Sequence, residues 1–423
     1  MKNVFNELSW RGMVYDATEG VSELFAQTSV TAYIGFDPTA SSLHVGSLLP
    51  VMALARLQRA GHHPIAIVGG GTGMIGDPSG KSQERTLLSG AQVEENLVGI
   101  RRQLSRFLDF EGPRPAQIVN NADWLGSIDL LSFLRDAGKH FTVNYMLQKE
   151  SVNRRLESEE GISFTEFSYL LLQAYDFLQL FDRYGCVLQM GGSDQWGNIT
   201  AGIDLIRKMR SRKAHGLVMP LVTTAAGVKF GKTELGTVWL DAQRTSPFKF
   251  YQFWLNTDDR DVVSHLKFFT FLDRPSVDAL AEATATSPGQ RAAQRVLARE
   301  VTSLVHGAEL SARAERASSL LFAEDLATVP VDDVVALFTD VPSTDISSSE
   351  FDGDGLGLVD LIARVGLAPS RSEARRLVQS GGVYLNNQKR TDVQHRVTLS
   401  EAIEGRLVVV RKGARQNYLI RIT

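Results

Sequence analysis

The turn at residues 37–47 places hydroxyl and imidazole side chains between a short apolar strand and an apolar helix. These side chains are Thr39, Ser41, Ser42 and His44. The first amides of a helix have no intrahelical partners, and the helix dipole adds partial positive charge at the same point. The turn therefore predicts an anion site. An ordinary strand-to-helix connection with a capping hydroxyl is the alternative.

Two glycine-containing loops carry basic side chains. Residues 69–76 precede Lys81 and Arg85, and a later loop carries Lys229, Lys232 and Thr233. The first loop matches GxGxxG, but the residues after it read as a turn, whereas the dinucleotide fingerprint requires a helix. Both loops are one residue short of P-loop spacing. Close backbone approach to a ligand is predicted for the first loop and a clamp on polyphosphate for the second, with plain solvent loops as the alternative.

A predicted helix at residues 164–177 carries three polar groups at positions i, i+4 and i+7. They are Tyr169, Gln173 and Asp176, and this spacing places them on one helix face. If that face is buried, the three groups need polar partners. A solvated outer face is the alternative. A strand ending at residue 190 then delivers the polar run 191–198 to the same edge of the predicted sheet.

Short apolar runs that alternate with helical patterns predict an α/β fold with a Rossmann-like parallel sheet. The runs at 63–68, 116–120, 185–190 and 217–222 have the profile of buried parallel strands, whose carboxyl ends bind ligands. We predict a Rossmann-like catalytic domain at 1–227 with a helical insertion around 125–182, an α-helical domain at 228–340 that begins with the second loop, a Ser-, Asp- and Gly-rich linker at 341–357, and a small α+β domain at 358–423.

Composition is that of an ordinary globular protein, with 423 residues, 43% hydrophobic and 22% charged. A single cysteine, Cys186, excludes an intramolecular disulfide framework and fits a reducing compartment. No apolar run approaches the length of a membrane span, so we expect a cytoplasmic protein without membrane association. The net charge of −3 gives no global sign of nucleic acid, but local basic clusters occur, and each could equally be a solvated helix face.

The turn and the loops together resemble the signatures of class I aminoacyl-tRNA synthetases. Residues 43–47 look like the HIGH signature, with Ser47 in place of its second His, and residues 33–39 are similar to the version in bacterial tyrosyl-tRNA synthetases. In chain order, residues 69–81, 191–198 and 229–233 resemble the glycine loop, the GGSDQ region and the KMSKS-type loop of that family, and residues 358–390 resemble the S4 RNA-binding module. The resemblance covers nearly the whole chain.

This resemblance implies that tyrosine is activated with ATP and then transferred to the 3′ end of tRNA(Tyr). It implies no built-in cofactor and no protein-built metal site, with Mg²⁺ arriving with the ATP substrate. The catalytic residues would be Thr39, His44, Lys81, Arg85, Lys229, Lys232 and Thr233. Tyrosine would be bound by Tyr33, Asp77, Asn121, Tyr169, Gln173, Asp176, Gln189 and Gln195. ATP would be bound by Gly35, Asp37, His44, Gly46, Ser47, Gly191, Asp194 and Lys232.

The resemblance also implies a homodimer that binds tRNA, with residues 128–160 as the expected interface. The helical domain would be tRNA-binding and the last domain S4-like. The expected tRNA contacts are Arg207, Lys208, Arg371, Arg375 and Arg376. Two other functions stay open: a nicotinamide-dependent oxidoreductase built on GxGxxG, and a non-catalytic RNA-binding protein with a synthetase fold, suggested by Ser47.

Overall fold

The computed structural model describes most of the chain. It covers residues 3–27, 29–79, 88–157, 161–225, 227, 230–233, 236–321, 326, 331, 334–335, 341–413 and 416–423. The chain divides into two compact units. The first consists of Met1–Thr245 and Phe253–His306, and the second of Ser246–Gln252 and Gly307–Thr423.

A six-stranded sheet forms the centre of the first unit, and its order is β1-β6-β5-β2-β3-β4. β1 is antiparallel to β6 and every other pair is parallel. The predicted parallel sheet is therefore confirmed. Its strands are β1 (Asp16–Ala17), β2 (Thr31–Phe36), β3 (His63–Val68), β4 (Gln117–Asn120), β5 (Leu188–Gly192) and β6 (His215–Met219).

Helices surround this sheet, which explains why its inner strands are apolar on both faces. Those that precede strand β6 are α1 (Val4–Trp10), α2 (Val21–Gln27), α3 (Leu48–Arg59), α4 (Gly90–Leu104), α5 (Ala122–Leu125), α6 (Leu130–Asp136), α7 (Val143–Leu147), α8 (Glu150–Leu156), α9 (Phe164–Tyr184) and α10 (Trp196–Arg210). A small hairpin follows, formed by β7 (Lys232–Thr233) and β8 (Gly236–Thr237). Further along the chain come α11 (Pro247–Leu255), α12 (Asp259–Phe269), α13 (Arg274–Thr286), α14 (Ala292–His306) and α15 (Ala308–Leu321), of which α12 to α14 belong to the first unit and α15 to the second.

Helix α9 crosses the core of the first unit and has clear start and stop signals. The Ser163 hydroxyl accepts a hydrogen bond from the Glu166 amide at 3.2 Å, which satisfies one of the unpaired first-turn donors. Gly185 ends the helix with a φ of +61°, a left-handed conformation that glycine adopts without steric cost. Between these ends, Leu170, Ala174 and Phe177 are buried in the core.

The second unit has its own α+β core around a sheet of order β12-β11-β14-β15-β9. Helices α16 and α17 accompany this sheet, and a separate pair of short strands, β10 and β13, lies antiparallel. The elements are β9 (Ser343–Ile346), β10 (Leu356–Gly357), α16 (Leu358–Arg364), α17 (Arg371–Gln379), β11 (Val383–Leu385), β12 (Gln388–Arg390), β13 (Arg396–Val397), β14 (Leu407–Lys412) and β15 (Gln416–Ile422).

The structure differs from the predicted linker at 341–357. Residues 343–346 of that stretch form β9, which pairs in parallel with β15, and Phe351 is buried in the core of the second unit. Polar composition suggested a flexible connection, whereas the apolar Ile346 and Phe351 anchor the stretch to the sheet. The remaining domain boundaries stay predictions. None of the described helices is both long and apolar enough to cross a membrane.

Four of the described histidines of the first unit are buried, and His62, His265 and His306 are the ones whose pKa values are lowered most. Burial lowers the pKa of each of these three from 6.5 to about 4, because desolvation disfavours the charged ring. His265 lies within an aromatic cluster, with its ring centroid 4.9 Å from that of Phe230 and 5.6 Å from that of Phe269. The folded protein therefore binds fewer protons than the unfolded chain between pH 6.5 and about 4.

We expect the free energy of unfolding to fall as the pH is lowered through this range, because the unfolded chain gains protons that the folded protein excludes. His265→Phe keeps a ring in the cluster and should retain on the order of 2 kcal/mol more stability than the wild type at pH 4.5, relative to pH 7.5. Urea unfolding at the two pH values measures this difference. Phe268→Leu on the same helix is the control and should lose as much stability as the wild type; an equal loss in His265→Phe would contradict the prediction.

Candidate active site

A cleft of about 1090 Å³ opens in the first unit, where β2 and β5 end. This is the point at which the strand order reverses, and ligands of open α/β sheets bind there. The predicted ligand-binding residues that line it are Tyr33, Gly35, Asp37, Thr39, His44, Gly46, Ser47, Asp77, Asn121, Tyr169, Gln173, Asp176, Gln189, Gly191, Asp194 and Gln195.

Tyr33 and Gln189 are direct neighbours on β2 and β5 and both are buried. The Tyr33 hydroxyl and the Gln189 Oε1 atom have no hydrogen-bond partner among the described residues. Burial, followed by the nearby charge of Asp176, raises the pKa of Tyr33 well above its ordinary value, so its hydroxyl stays protonated and can donate. Buried polar groups normally have partners, so this end of the cleft is suited to a polar ligand atom.

Asp176 is the buried carboxylate of this end, on helix α9. Its Oδ1 accepts from Trp124 Nε1 at 2.7 Å, and its Oδ2 accepts from Asn121 Nδ2 at 2.9 Å. Burial raises the pKa of Asp176 to about 7, and the two hydrogen bonds oppose that rise. The predicted helix face is therefore buried here and has the polar partners that burial demands.

The glycine loop is attached to the same network through Asn121. Asn121 Oδ1 accepts a hydrogen bond from the Gly71 amide at 2.8 Å. Asn121 Nδ2 also donates to the Thr72 hydroxyl at 2.8 Å. A short 3-10 helix at Thr72–Met74 follows, and residues 77–79 are not helical. The loop thus lacks the helix of a dinucleotide site and supports the Asp176 end of the cleft.

Thr72 and Trp124 line or support the site, although the sequence did not identify them. Trp124 is buried and reaches Asp176 with its indole N–H, while Thr72 is buried against Asn121. Thr72 occupies a variable position of the GxGxxG match, and Trp124 belongs to no recognised motif. The only sequence feature that could have indicated Trp124 is its position, four residues after a predicted strand and three after Asn121.

A second hydrogen-bonded network forms the adjacent wall. Gln195 Nε2 donates to Asp77 Oδ2 at 2.8 Å, and Gln173 Nε2 donates to Gln195 Oε1 at 3.2 Å. Asn198, another residue that the sequence did not single out, donates to Gln173 Oε1 at 3.0 Å. The wall presents carboxylate and amide oxygens, which are acceptors suited to an ammonium group.

The turn at the other end of the cleft fixes the tautomer of His44. His44 Nδ1 accepts from the Gly46 amide at 3.0 Å, so the neutral ring carries its proton on Nε2. The Trp239 ring meets the His44 ring edge-on, with centroids 6.2 Å apart. Ser47 is half-buried at the start of α3 and makes no side-chain capping bond. The turn therefore presents an N–H donor beside a helix N-terminus, as an anion site requires.

The second basic loop is fixed by an aromatic residue. Phe230 is buried, and its ring stacks on that of Phe269 at 5.4 Å with an angle of 9°. Gly231 adopts a φ of +84°, and a Cβ atom there would lie 2.7 Å from Val45 Cγ2, so both the backbone conformation and the close approach favour glycine. Lys81, Arg85 and Lys229 lie outside the described residues, as do the side chains of Lys232 and Thr233.

The expected tRNA-binding residues are exposed and do not line the cleft. Lys208 donates to the His140 carbonyl at 2.7 Å and Arg207 to Asp204 at 3.2 Å. In the second unit, Arg371 and Arg375 line a smaller cleft of about 470 Å³. Arg371 also pairs with Asp360 at 2.6 Å, and Arg376 lies 3.9 Å from Glu373.

Two family profiles match the chain. That of the class I tRNA synthetases for tryptophan and tyrosine matches residues 26–323, and that of the tyrosine–tRNA ligase SYY-like C-terminal domain matches residues 333–420. The tyrosine–tRNA ligase of Roseiflexus castenholzii is 56% identical over 423 residues, 100% of both chains. That of Geobacillus stearothermophilus is 52% identical over 419 residues, 98% of both chains.

Solved structures agree with these matches. A C-terminally truncated mitochondrial tyrosyl-tRNA synthetase from Aspergillus nidulans has a TM-score of 0.70 at 31% identity, over 76% of this chain and 95% of its own. The fold is also that of the Archaeoglobus fulgidus tyrosyl-tRNA synthetase, with a TM-score of 0.55 at 16% identity, over 74% of this chain and 99% of its own. The chain therefore belongs to the tyrosyl-tRNA synthetases, within the class I tRNA synthetases.

Proposed function

We propose that the cleft joins L-tyrosine to ATP, giving tyrosyl-adenylate and pyrophosphate, and that the tyrosyl group then passes to the 3′ end of tRNA(Tyr). The observation that carries this proposal is the buried pair of Asp176 and Tyr33, in one cleft with the turn at His44. The Tyr33 hydroxyl has no hydrogen-bond partner among the residues that the structure describes. Family membership supports the same reaction.

At the buried end, the phenol group of the substrate would donate its proton to Asp176 and accept from the Tyr33 hydroxyl. Gln189 lies beside Tyr33 on the neighbouring strand, and its Oε1 atom also has no partner in the described part of the chain. Phenylalanine would fill the same space but leave these buried groups unpaired, which is costly. The oxygens of Asp77, Gln173 and Tyr169 would receive the substrate ammonium group, with Asn121 and Gln195 holding their neighbours in place.

The chemical step needs no general base, because the tyrosine carboxylate is already a nucleophile. One carboxylate oxygen would attack the α-phosphorus of ATP, and the bond from that phosphorus to the bridging oxygen of pyrophosphate would break. The barrier lies in bringing two anions together and in stabilising the new charge. His44, through its Nε2 proton, and Thr39 would contact the polyphosphate at the helix N-terminus. Lys81, Arg85, Lys229, Lys232 and Thr233 would close over the leaving pyrophosphate, where the four basic side chains would offset its charge.

The rest of ATP would extend along the carboxyl ends of β2 and β5. Gly35, Asp37, Gly46 and Ser47 would border the nucleotide on one side, and Gly191 and Asp194 on the other, where Asp194 would accept from the ribose hydroxyls. No group of three His, Cys, Asp or Glu side chains converges among the described residues. We therefore propose that Mg²⁺ enters bound to the phosphates of ATP. We also propose that the protein is located in the cytoplasm.

An apolar patch of the first unit supports a homodimer. Large apolar side chains rarely form exposed clusters unless they meet a partner. The patch is defined by Leu130, Leu131, Leu134, Val143, Leu147, Leu156 and Phe164. All of these residues except Phe164 lie within residues 128–160, the expected interface, and Leu131 and Phe164 are 74% and 79% exposed. For tRNA, Arg207 and Lys208 in the first unit and the exposed arginines of α17 in the second would bind phosphates.

The reaction is tested by ATP–pyrophosphate exchange with each amino acid in turn and without tRNA. We expect exchange with tyrosine alone, because the other amino acids bring no phenol group to Tyr33 and Asp176 or do not fill the cleft. Exchange with no amino acid, together with retained tRNA binding, would instead indicate a non-catalytic RNA-binding protein. Binding of NAD without any exchange would indicate the oxidoreductase.

The raised pKa of Asp176 predicts a pH dependence of tyrosine use. Protonation below about pH 7 removes the charged acceptor for the phenol group. The KM for tyrosine in exchange should therefore rise about tenfold between pH 8 and pH 6, as a single titration near pH 7 requires. The KM for ATP is the internal control and should change much less. In Asp176→Asn the KM for tyrosine should be high at both pH values; a rise in this variant equal to that of the wild type would assign the titration to another group.

The patch predicts that a charge at its centre separates the subunits. Leu131→Asp should shift the protein to monomers at micromolar concentration in sedimentation experiments, because the carboxylate would have to lose its water in the interface. Val98→Asp, at a 69% exposed position of α4 outside the patch, is the matched control and should remain dimeric. A Leu131→Asp protein with the mass of the Val98→Asp protein would exclude this interface.

A further inference from the structure

Helix α4 contacts the turn that carries Thr39 and His44, although it contributes no residue to the cleft. We propose that one face of this helix holds the turn in its phosphate-binding shape, and that Gln103 is a positioning residue for adenylate formation. The proposal rests on the proposed function. It extends that function to residues that touch neither tyrosine nor ATP.

Gln103 is only 6% exposed and both ends of its amide are used. Its Oε1 accepts from the Leu43 amide at 2.7 Å, and its Nε2 donates to the Ser42 hydroxyl at 2.8 Å. The Ser42 hydroxyl in turn donates to the Leu43 carbonyl at 2.7 Å and accepts from the Asp241 amide at 3.2 Å. These bonds fix the backbone directly before His44.

The same helix face contacts the start of the turn. Asn96 Nδ2 donates to the Pro38 carbonyl at 2.8 Å. Gly99 lies so close to the turn that a Cβ atom at this position would overlap with the carbonyl oxygen of Ser41. Asn96, Gly99 and Gln103 are spaced i, i+3 and i+7, which places them in one row along the helix. The row therefore contacts the turn at three points: Pro38, Ser41 and Leu43.

This polar row is distinct from the face that anchors the helix in the core. Val93, Leu97, Ile100 and Leu104 form the buried apolar stripe of α4. Burial of the helix thus does not require amides at the contact with the turn. Amide groups at this contact are explained if the turn itself must be held, because its backbone donors and acceptors could not be satisfied by an apolar face.

The consequence is catalytic, because the donors of the turn act on charge that develops during the reaction. Such donors are effective only when they are held in place before the reaction begins, and a displacement of about 1 Å can cost on the order of a hundredfold in rate. Loosening the turn should therefore lower kcat. The KM for tyrosine should not change, since the tyrosine end is built on β2, β5 and α9.

The test is Gln103→Met, which keeps the length of the side chain and removes both hydrogen bonds. We expect kcat for ATP–pyrophosphate exchange to fall about ten- to a hundredfold, with the KM for tyrosine within about twofold of the wild type. Gln103→Glu keeps the acceptor for the Leu43 amide and should recover part of the loss. Val93→Ala, a buried truncation on the same helix, is the matched control and should lower the melting temperature without changing kcat.

A Gln103→Met protein with the melting temperature of Val93→Ala and an unchanged kcat would overturn the proposal, because the helix would then be only structural. If Gln103→Met does not fold, Asn96→Leu at the half-buried end of the row takes its place and should lower kcat severalfold; an unchanged kcat there would overturn the proposal as well. Failure of the proposed function would look different, since the wild-type protein would then show no exchange with tyrosine.

Discussion

Burial of the Asp176 carboxylate is the constraint that organises the buried end of the cleft. A charge removed from water must be hydrogen-bonded, and here the two donors come from Asn121 and Trp124. The side-chain oxygen of Asn121 accepts a hydrogen bond from the Gly71 amide, and this bond orients the Asn121 Nδ2 atom toward Asp176. One carboxylate on α9 thus determines where the glycine loop, the end of β4 and helix α5 must lie. These segments are distant in sequence and share this single network.

The two ends of the cleft are both connected to strand β2, but different interactions hold them in place. Tyr33 lies within β2, and the anion-binding turn begins where β2 ends, so the strand fixes the spacing between the phenol end and the phosphate end. The phenol end is rigid because it lies in the packed core between the sheet and α9. The phosphate end is a turn whose backbone is also held by the amide group of Gln103 on α4 and by the backbone at Trp239. This difference explains why changes at the two ends should separate KM from kcat.

Much of this could be predicted from the sequence. Apolar runs such as residues 63–68 indicated the parallel strands, and the predicted tyrosine- and ATP-binding residues whose side chains the structure describes line one cleft. Thr72, Trp124 and Gln103 could not be found, because each acts through a partner about 50 to 60 residues away and follows no local pattern. The stretch 341–357 was misread as a linker because its polar residues outnumber Ile346 and Phe351, which decide where it packs.

Three buried polar groups of the site lower the stability of the empty folded protein and make the site selective for tyrosine. The Tyr33 hydroxyl and Gln189 Oε1 are buried without partners in the described residues, and Asp176 has its pKa raised by burial, so each disfavours the empty folded protein at neutral pH. A ligand that supplies a phenol hydroxyl gives a hydrogen-bond partner to both the Tyr33 hydroxyl and the Asp176 carboxylate, whereas an apolar ring of the same size gives a partner to neither. These buried polar groups are therefore the physical basis for selecting tyrosine over phenylalanine, because only the phenol hydroxyl forms hydrogen bonds with them.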